Sequence, residues 1–160
     1  MMKTTRLWTV LIALTLLGCS MADDEESEVK ERVSVGDRLP VFTVATVEAD
    51  GTAGTFSTAR LKGETVVVLF NTSCSDCRRE LPRLNDYYLQ HRNDRDFSMV
   101  AVSREEGAGS VAAFWKSQGL KLPYSAQEDR RVFDLFATAT IPRAYYATDG
   151  IVRRIFIERE

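Results

Sequence analysis

Two cysteines three positions apart, Cys74 and Cys77, are the side chains of this sequence best suited to chemistry. They follow an apolar run, residues 65–70, and precede a segment with helically spaced apolar side chains. At the start of a helix, free backbone N–H groups and the helix dipole stabilise an anion, which favours the thiolate of the first cysteine. We therefore expect Cys74 to be a nucleophile. Cys77, one helical turn further on, is expected to resolve the mixed disulfide.

The charges next to this pair act in opposite directions. Asp76 opposes a thiolate at Cys74, whereas Arg78 and Arg79 favour it. The sequence alone leaves the balance of these charges open.

Zinc binding and an inert structural disulfide are the alternatives for a Cys-x-x-Cys pair. A structural zinc site needs about four ligands, and beyond the pair the chain offers only Cys19 and His91. We therefore expect neither a metal nor another cofactor. The position of the pair between a strand and a helix favours redox chemistry over a structural disulfide.

The first 18 residues have the organisation of a lipoprotein signal peptide. Two basic residues precede an apolar run, residues 7–17, which is shorter than the roughly 20 residues needed to cross a bilayer. The run ends in Leu-Leu-Gly-Cys-Ser, which resembles the bacterial lipobox and implies cleavage after Gly18 and diacylation of Cys19. If lipid occupies Cys19, an even pair of cysteines remains, and an exported location permits a disulfide.

Residues 19–35 are predicted to be an acidic, flexible tether, because they are rich in charge and poor in apolar side chains. Their acidic run, residues 23–26, resembles the surface-export signals of Bacteroidetes lipoproteins, and a plain spacer is the alternative. We expect a protein that is lipid-anchored in the cell envelope and either faces the periplasm or lies on the cell surface.

Residues 36–160 are predicted to form one α/β domain. The apolar runs at residues 65–70 and 97–103 are typical of buried central strands. A helix over about residues 77–91 connects them, so these two strands should be parallel.

The second half of the domain is predicted to contain two more helices and a hairpin. Ser110 is predicted to cap a helix that ends at Gly119, and residues 128–136 a short helix. Asp149 and Gly150 form a turn signal between two β-rich segments, which should add antiparallel strands to the same sheet.

Residues 37–157 resemble the TlpA/ResA-type branch of the thioredoxin superfamily. The similarity lies in residues 36–42, 61–63, 66–70 and 74–82, and in Ile141-Pro142 before Asp149-Gly150. It implies a thioredoxin-like fold, a central mixed β-sheet flanked by helices. It also implies a thiol–disulfide oxidoreductase that reduces or exchanges disulfides of envelope proteins and is itself supplied by an upstream electron donor.

The resemblance assigns roles to three further residues. Pro142 matches a cis-proline that faces the cysteine pair and helps to position a substrate strand, the alternative being an ordinary trans loop proline. Glu80 matches an acidic residue proposed to help proton transfer to the resolving thiol, as a partly buried carboxylate with a raised pKa could do. A solvated helix-face glutamate is the alternative. Pro82 matches a helix-kinking proline. The predicted catalytic residues are thus Cys74, Cys77, Glu80 and Pro142, with Cys74 and Cys77 forming the redox-active disulfide.

The sequence departs from the pattern of this branch in three places. Ser73 stands where tryptophan usually precedes the first cysteine, which removes an apolar lid. Arg143 stands where threonine commonly follows the proline, so a charge is expected beside the substrate groove. The chain ends directly after the last predicted strand, so the usual C-terminal helix is expected to be absent and one sheet face less covered.

Other functions compete with this hypothesis. A peroxiredoxin shares the fold, but its usual Thr-x-x-Cys spacing is not met, because Asn71 lies three residues before Cys74. Copper delivery requires a wider cysteine spacing and a suitably placed histidine. A non-catalytic surface lipoprotein module with a structural disulfide is the alternative outside enzymes. Nucleic acid binding is not expected, since the net charge is -2 and no basic stretch is interleaved with aromatics.

Overall fold

A computed structural model of the chain describes residues 31–157, which form a seven-stranded sheet with helices. The strands are β1 (Thr43–Val47), β2 (Ala53–Ser57), β3 (Glu64–Phe70), β4 (Phe97–Ser103), β5 (Tyr124–Ser125), β6 (Arg143–Thr148) and β7 (Ile151–Ile157). The helices are α1 (Ser75–His91), α2 (Ala108–Gln118) and a 3₁₀ turn, Phe133–Leu135. In the sheet the strand order is β2-β1-β5-β4-β3-β6-β7.

The centre of the sheet is the pair β3 and β4, which run parallel with Val67 opposite Val100. β6 pairs antiparallel with the other side of β3, and β7 with β6. The sheet is therefore mixed, and the predicted thioredoxin-like α/β fold is confirmed. The two-residue strand β5, parallel to β4 and antiparallel to β1, was not predicted.

Side chains of β3 fill the core on both sides of the sheet, as its continuous apolar run predicts. Val67 and Leu69 pack in a cluster with Phe42, Phe136 and Tyr145. Val66, Val68 and Phe70 lie on the opposite face with apolar side chains of α1 and α2, among them Leu81, Leu84, Phe114 and Trp115. This strand is consequently fixed from both faces, and the loop that follows it starts from a rigid base.

Helix α1 begins two residues earlier than predicted, with Cys74 as its N-cap. Leu81 and Leu84 are buried as their spacing predicts, and Pro82 lies within the helix. Leu89, which continues the helical spacing of apolar side chains, is 38% exposed. The buried face of α1 therefore narrows towards its C-terminal end.

The cap predicted for α2 is wrong. The helix begins after Gly107, whose extended backbone is the N-cap, and Ser110 lies in the first turn with its hydroxyl donating to the Gly107 carbonyl at 3.1 Å. Gly119 ends the helix in the left-handed conformation, as predicted. The short helix predicted over residues 128–136 is reduced to the 3₁₀ turn.

The hairpin of β6 and β7 is confirmed, with Asp149 and Gly150 as its turn. Their φ angles of 51° and 77° are both positive, which matches the twist that a two-residue hairpin turn needs. The Asp149 carboxylate also accepts a hydrogen bond from the Gly63 N–H at 2.9 Å. The turn is thereby attached to the loop that leads into β3.

The predicted boundary of the tether at residue 35 does not match the packing of residues 31–35. Glu31 forms a bridge with Ala137, the Arg32 N–H donates to the Phe136 carbonyl, and Val33 is 3% exposed. These contacts make residues 31–35 part of the domain, a role that their charge content concealed. The signal peptide and the rest of the tether lie outside the described residues. Within residues 31–157, no helix has the length and apolar character to cross a membrane.

Candidate active site

Cys74 lies at the junction of the buried strand β3 and helix α1. Its backbone is extended, with φ −77° and ψ 124°, and its Sγ accepts a hydrogen bond from the Cys77 N–H at 3.4 Å. The thiol is half-buried and also contacts the carbonyl oxygen of Ile141 at 3.6 Å. A sulfur in this position reaches solvent and lies at the N-terminus of a helix.

Cys77 is the opposite in exposure, since its side chain is fully buried against β3 and the helices. Burial raises the pKa of the Cys77 thiol well above that of an ordinary cysteine, and a hydrogen bond from the Asn71 backbone offsets only part of this rise. Cys77 is therefore a thiol at neutral pH and must lose a proton before it can attack. Both cysteines are free thiols in the structure.

The loop between β3 and Cys74 is held by Asn71. The Asn71 side-chain oxygen accepts from the Ser73 N–H at 2.8 Å, and its amide donates to the Arg104 carbonyl at 2.8 Å. Ser73 is exposed, so the position that carries tryptophan in the resembling branch offers Cys74 no aromatic cover.

Glu106 holds the same loop from the end of β4 and was not predicted. Its carboxylate is 9% exposed and accepts hydrogen bonds from both the backbone N–H and the hydroxyl of Thr72. The only sequence signal was its position shortly after the strand parallel to β3, whose carboxyl end lies beside the cysteine loop.

The charges flanking the cysteines are largely engaged with one another. Arg79 pairs with Asp76 at 2.8 Å, and the Arg78 guanidinium lies 5.8 Å from the centre of the Phe114 ring. The carboxylate that opposes a thiolate at Cys74 thus has its own cation. Asp76 and Arg79, which the sequence sets in opposition, therefore offset each other as an ion pair.

Glu80 lies one turn after Cys77 on α1 and is 8% exposed. Its carboxylate accepts from the Arg83 guanidinium at 2.7 Å and lines a cavity of about 220 Å³ with Tyr87, Tyr146 and Phe156. The expected burial of Glu80 is confirmed, in place of a solvated position on the helix face. Its part in proton transfer remains a prediction.

Pro142 is buried and follows a cis peptide bond after Ile141, as the resemblance implied. The Ile141 carbonyl is the group that contacts Cys74 Sγ. The structure thus brings Cys74, Cys77 and the Pro142 loop together. The role of Pro142 in positioning a substrate stays a prediction.

The expectation of a charge beside the groove at Arg143 is wrong. Arg143 is 0% exposed, and its guanidinium points into the protein, where the carbonyls of Ala139 and Thr140 and the carboxylate of Glu31 bind it. The side chain shares the sheet face of Tyr145, two residues further along the strand. A buried arginine needs such hydrogen-bond and ion-pair partners. The sequence did not indicate that Glu31 and the two carbonyls would supply them.

Metal ligands are not assembled in the described part of the chain, where no group of three or more histidine, cysteine, aspartate or glutamate side chains is suitably placed. His91 lies at the last residue of α1, where its ring pairs with Asp94 at 2.7 Å.

Most of this chain is similar in sequence to known proteins. The model of the AhpC/TSA family matches residues 35–157. Thiol-disulfide oxidoreductase ResA of Geobacillus thermodenitrificans (strain NG80-2) is 25% identical over 147 residues, which cover 91% of this chain and 82% of the relative. The resemblance to the TlpA/ResA branch is thereby confirmed.

Solved structures agree in fold. A solution structure of a proposed protein disulfide isomerase from Bacteroides thetaiotaomicron is 27% identical, with a TM-score of 0.71, and the match covers 81% of this chain and 82% of that one. A thiol:disulfide interchange protein from Chlorobium tepidum TLS is 24% identical, with a TM-score of 0.62 and coverage of 80% and 90%. A Plasmodium vivax 2-Cys peroxiredoxin, at 16% identity, a TM-score of 0.61 and coverage of 79% and 72%, shares the fold alone.

Proposed function

Because the chain belongs to the AhpC/TSA family and is a thiol–disulfide oxidoreductase, we propose that it reduces or exchanges disulfides of cell-envelope proteins through Cys74 and Cys77. One observation carries the proposal: a half-buried thiol at a helix N-terminus lies one turn from a fully buried thiol. This asymmetry gives the two sulfurs different tasks, attack on the substrate and release of the substrate.

The reaction has two thiol exchanges. The Cys74 thiolate attacks one sulfur of a substrate disulfide; a Cys74–substrate disulfide forms and the other substrate sulfur leaves as a thiolate that takes up a proton. Cys77 then loses its proton and attacks Cys74 Sγ. This step releases the second substrate thiol and leaves a Cys74–Cys77 disulfide, so two electrons have passed to the substrate. An upstream dithiol donor restores the reduced pair.

Glu80 and Pro142 support these steps in the proposal. Glu80 takes the proton of Cys77, since its buried carboxylate lies one turn along the same helix and the pKa of Cys77 is raised. Pro142 positions the substrate strand, and the contact of the preceding carbonyl with Cys74 Sγ supports this assignment.

Export and lipid attachment at Cys19 complete the proposal, supported by the lipobox-like sequence at the start of the chain. In cells, Cys19→Ser should shift the protein from the membrane to the soluble envelope fraction and prevent fatty-acid labelling. An unchanged membrane fraction in that variant would contradict the anchor and leave the redox proposal intact.

The direction of electron flow is proposed to be reducing, on the resemblance to the TlpA/ResA branch. A redox titration of the pair against glutathione gives the potential. A value near that of a strong oxidant, about −120 mV, would contradict a reductase.

Reduction of insulin by the full chain, with dithiothreitol as donor, tests the activity. We expect turnover in the native protein and its loss in Cys74→Ser. Lack of Cys74-dependent reduction, combined with a very low potential, would favour a binding module with a structural disulfide. Peroxide consumption that requires Cys74, without insulin reduction, would favour a peroxidase.

A further inference from the structure

The loop before Pro142, residues 138–141, has each of its carbonyl oxygens bound by a side chain. Arg130 donates to the Thr138 carbonyl at 2.8 Å. Arg143 donates to the Ala139 carbonyl at 2.6 Å and to the Thr140 carbonyl at 2.7 Å. The fourth carbonyl, that of Ile141, contacts Cys74 Sγ at 3.6 Å. Two arginines thus hold the strand of backbone that lies against the nucleophile.

Thr140 shows why this loop needs to be held. Its φ angle is 66°, in the left-handed region that a β-branched residue rarely adopts. Such a conformation persists only where surrounding contacts fix it, and it is common at functional sites. Arg143 binds the two carbonyls that flank the φ and ψ bonds of Thr140. One is the carbonyl of Ala139, which precedes the Thr140 nitrogen, and the other is the carbonyl of Thr140 itself.

The Arg143 side chain is buried and fixed by several partners. It is 0% exposed, and its third nitrogen pairs with Glu31, which itself bridges to Ala137, the residue before the loop. The charge is therefore neutralised inside the protein and is unavailable to a substrate. A planar guanidinium with five donors can bind two carbonyls and a carboxylate together, which an ammonium group cannot match.

We propose that Arg143 is a positioning residue that holds residues 139–141 in the conformation a substrate strand must meet beside Cys74. The proposal rests on the proposed function, since it concerns docking of a disulfide-bearing polypeptide. In this proposal the substrate recognises the backbone conformation of residues 139–141 and not the charge of Arg143. Loss of Arg143 should therefore weaken the binding of acidic and basic peptide substrates equally.

The test compares a protein disulfide with a small one, using the full chain. Arg143→Met should raise KM for insulin about tenfold or more, because a misplaced loop no longer meets the substrate strand. The rate of Cys74 with dithiodipyridine, which is too small to need the loop, should change less than about twofold. Arg143→Lys should give an intermediate KM, and Thr140→Gly in the Arg143→Lys background should lower KM again, because glycine adopts positive φ without cost.

Each outcome is decisive when circular dichroism shows a folded variant. An unchanged insulin KM in Arg143→Met overturns the proposal, as does an equal loss of reactivity towards both disulfides. If Arg143→Met does not fold, an unchanged KM in Arg143→Lys overturns it. A native protein without Cys74-dependent insulin reduction would instead contradict the proposed function, and hydrogen exchange at residues 139–141 would still report whether Arg143 fixes the loop.

Discussion

Cys74 and Cys77 are separated by one helical turn, yet they meet very different surroundings. The spacing and the strand before it predict that Cys74 attacks and Cys77 resolves, and the burial of Cys77 is compatible with that order. The contacts of the cysteine loop with Arg104 and Glu106 could not be predicted, because they depend on which strand ends lie side by side. The inward course of Arg143 was missed for the same reason: its partner Glu31 is 112 positions away.

The raised pKa of Cys77 predicts a pH dependence for the second exchange. Below a raised pKa, the thiolate fraction grows about tenfold per pH unit. Release of substrate should therefore become faster as pH rises from about 7 to 9. Stopped-flow measurement of the decay of a preformed Cys74–peptide disulfide gives this rate. A rate that falls with increasing pH would show that a protonated group, and not the Cys77 thiolate, limits release.

Glu80 should make this pH dependence shallower by accepting the proton of Cys77. Glu80→Gln should slow substrate release at pH 7 by about tenfold to a hundredfold. The upper value equals the smallest effect that is typical of general-base catalysis. It should also make the slope of log rate against pH steeper. Asp86→Asn is the matched control, an exposed carboxylate on the same helix. Equal rates in both variants would remove Glu80 from the mechanism.

At the scale of elements, strands and turns were more predictable than helix ends. The apolar run of β3 and the Asp149-Gly150 turn carry strong local signals, and both appear as expected. The start of α2 depends on the backbone of Gly107, and the β5 strand of two residues exists only because β1 and β4 lie beside it. Such features follow from tertiary contacts, so the local sequence does not contain them.

The turn into β3 provides a prediction about stability. Gly63 has φ 64°, and a Cβ there would lie 2.3 Å from the Asp96 carbonyl. Gly63→Ala should lower the free energy of unfolding by about 2–4 kcal/mol, through left-handed strain and the clash. Gly109→Ala is the control: it lies in α2 with open space around it, and should stabilise by about 0.5–1 kcal/mol. Urea denaturation measures both, and a Gly63→Ala protein as stable as the native one would contradict the packing.

The described domain as a whole begins before the predicted boundary at residue 36. Its two core clusters lie on opposite faces of the sheet, and Val33 belongs to the one that contains Phe136 and Tyr145. Composition predicted a globular domain, but it could not show that a charged segment contributes Val33 to the core. The register of β3 with β4 and β6 then places the cysteine loop and the Pro142 loop at the same end of these central strands.

This arrangement predicts the effect of truncation. A chain that starts at residue 31 keeps Glu31 and Val33 and is the reference. In a chain that starts at residue 36, the free energy of unfolding should be lower by about 1.5–3 kcal/mol or more, because the burial of Val33 is lost. This chain also leaves Arg143 without its ion-pair partner Glu31. Equal midpoints for the two truncated chains would show that residues 31–35 do not stabilise the domain.

The central claim is that Cys74 attacks and Cys77 resolves. Rapid acid quenching of the reaction with a disulfide peptide, followed by mass spectrometry, tests it most directly. Cys77→Ala should accumulate one peptide on Cys74, whereas Cys74→Ala should accumulate none on the buried Cys77. Peptide on Cys77 in the Cys74→Ala protein at a similar rate, or no adduct in Cys77→Ala, would contradict the account.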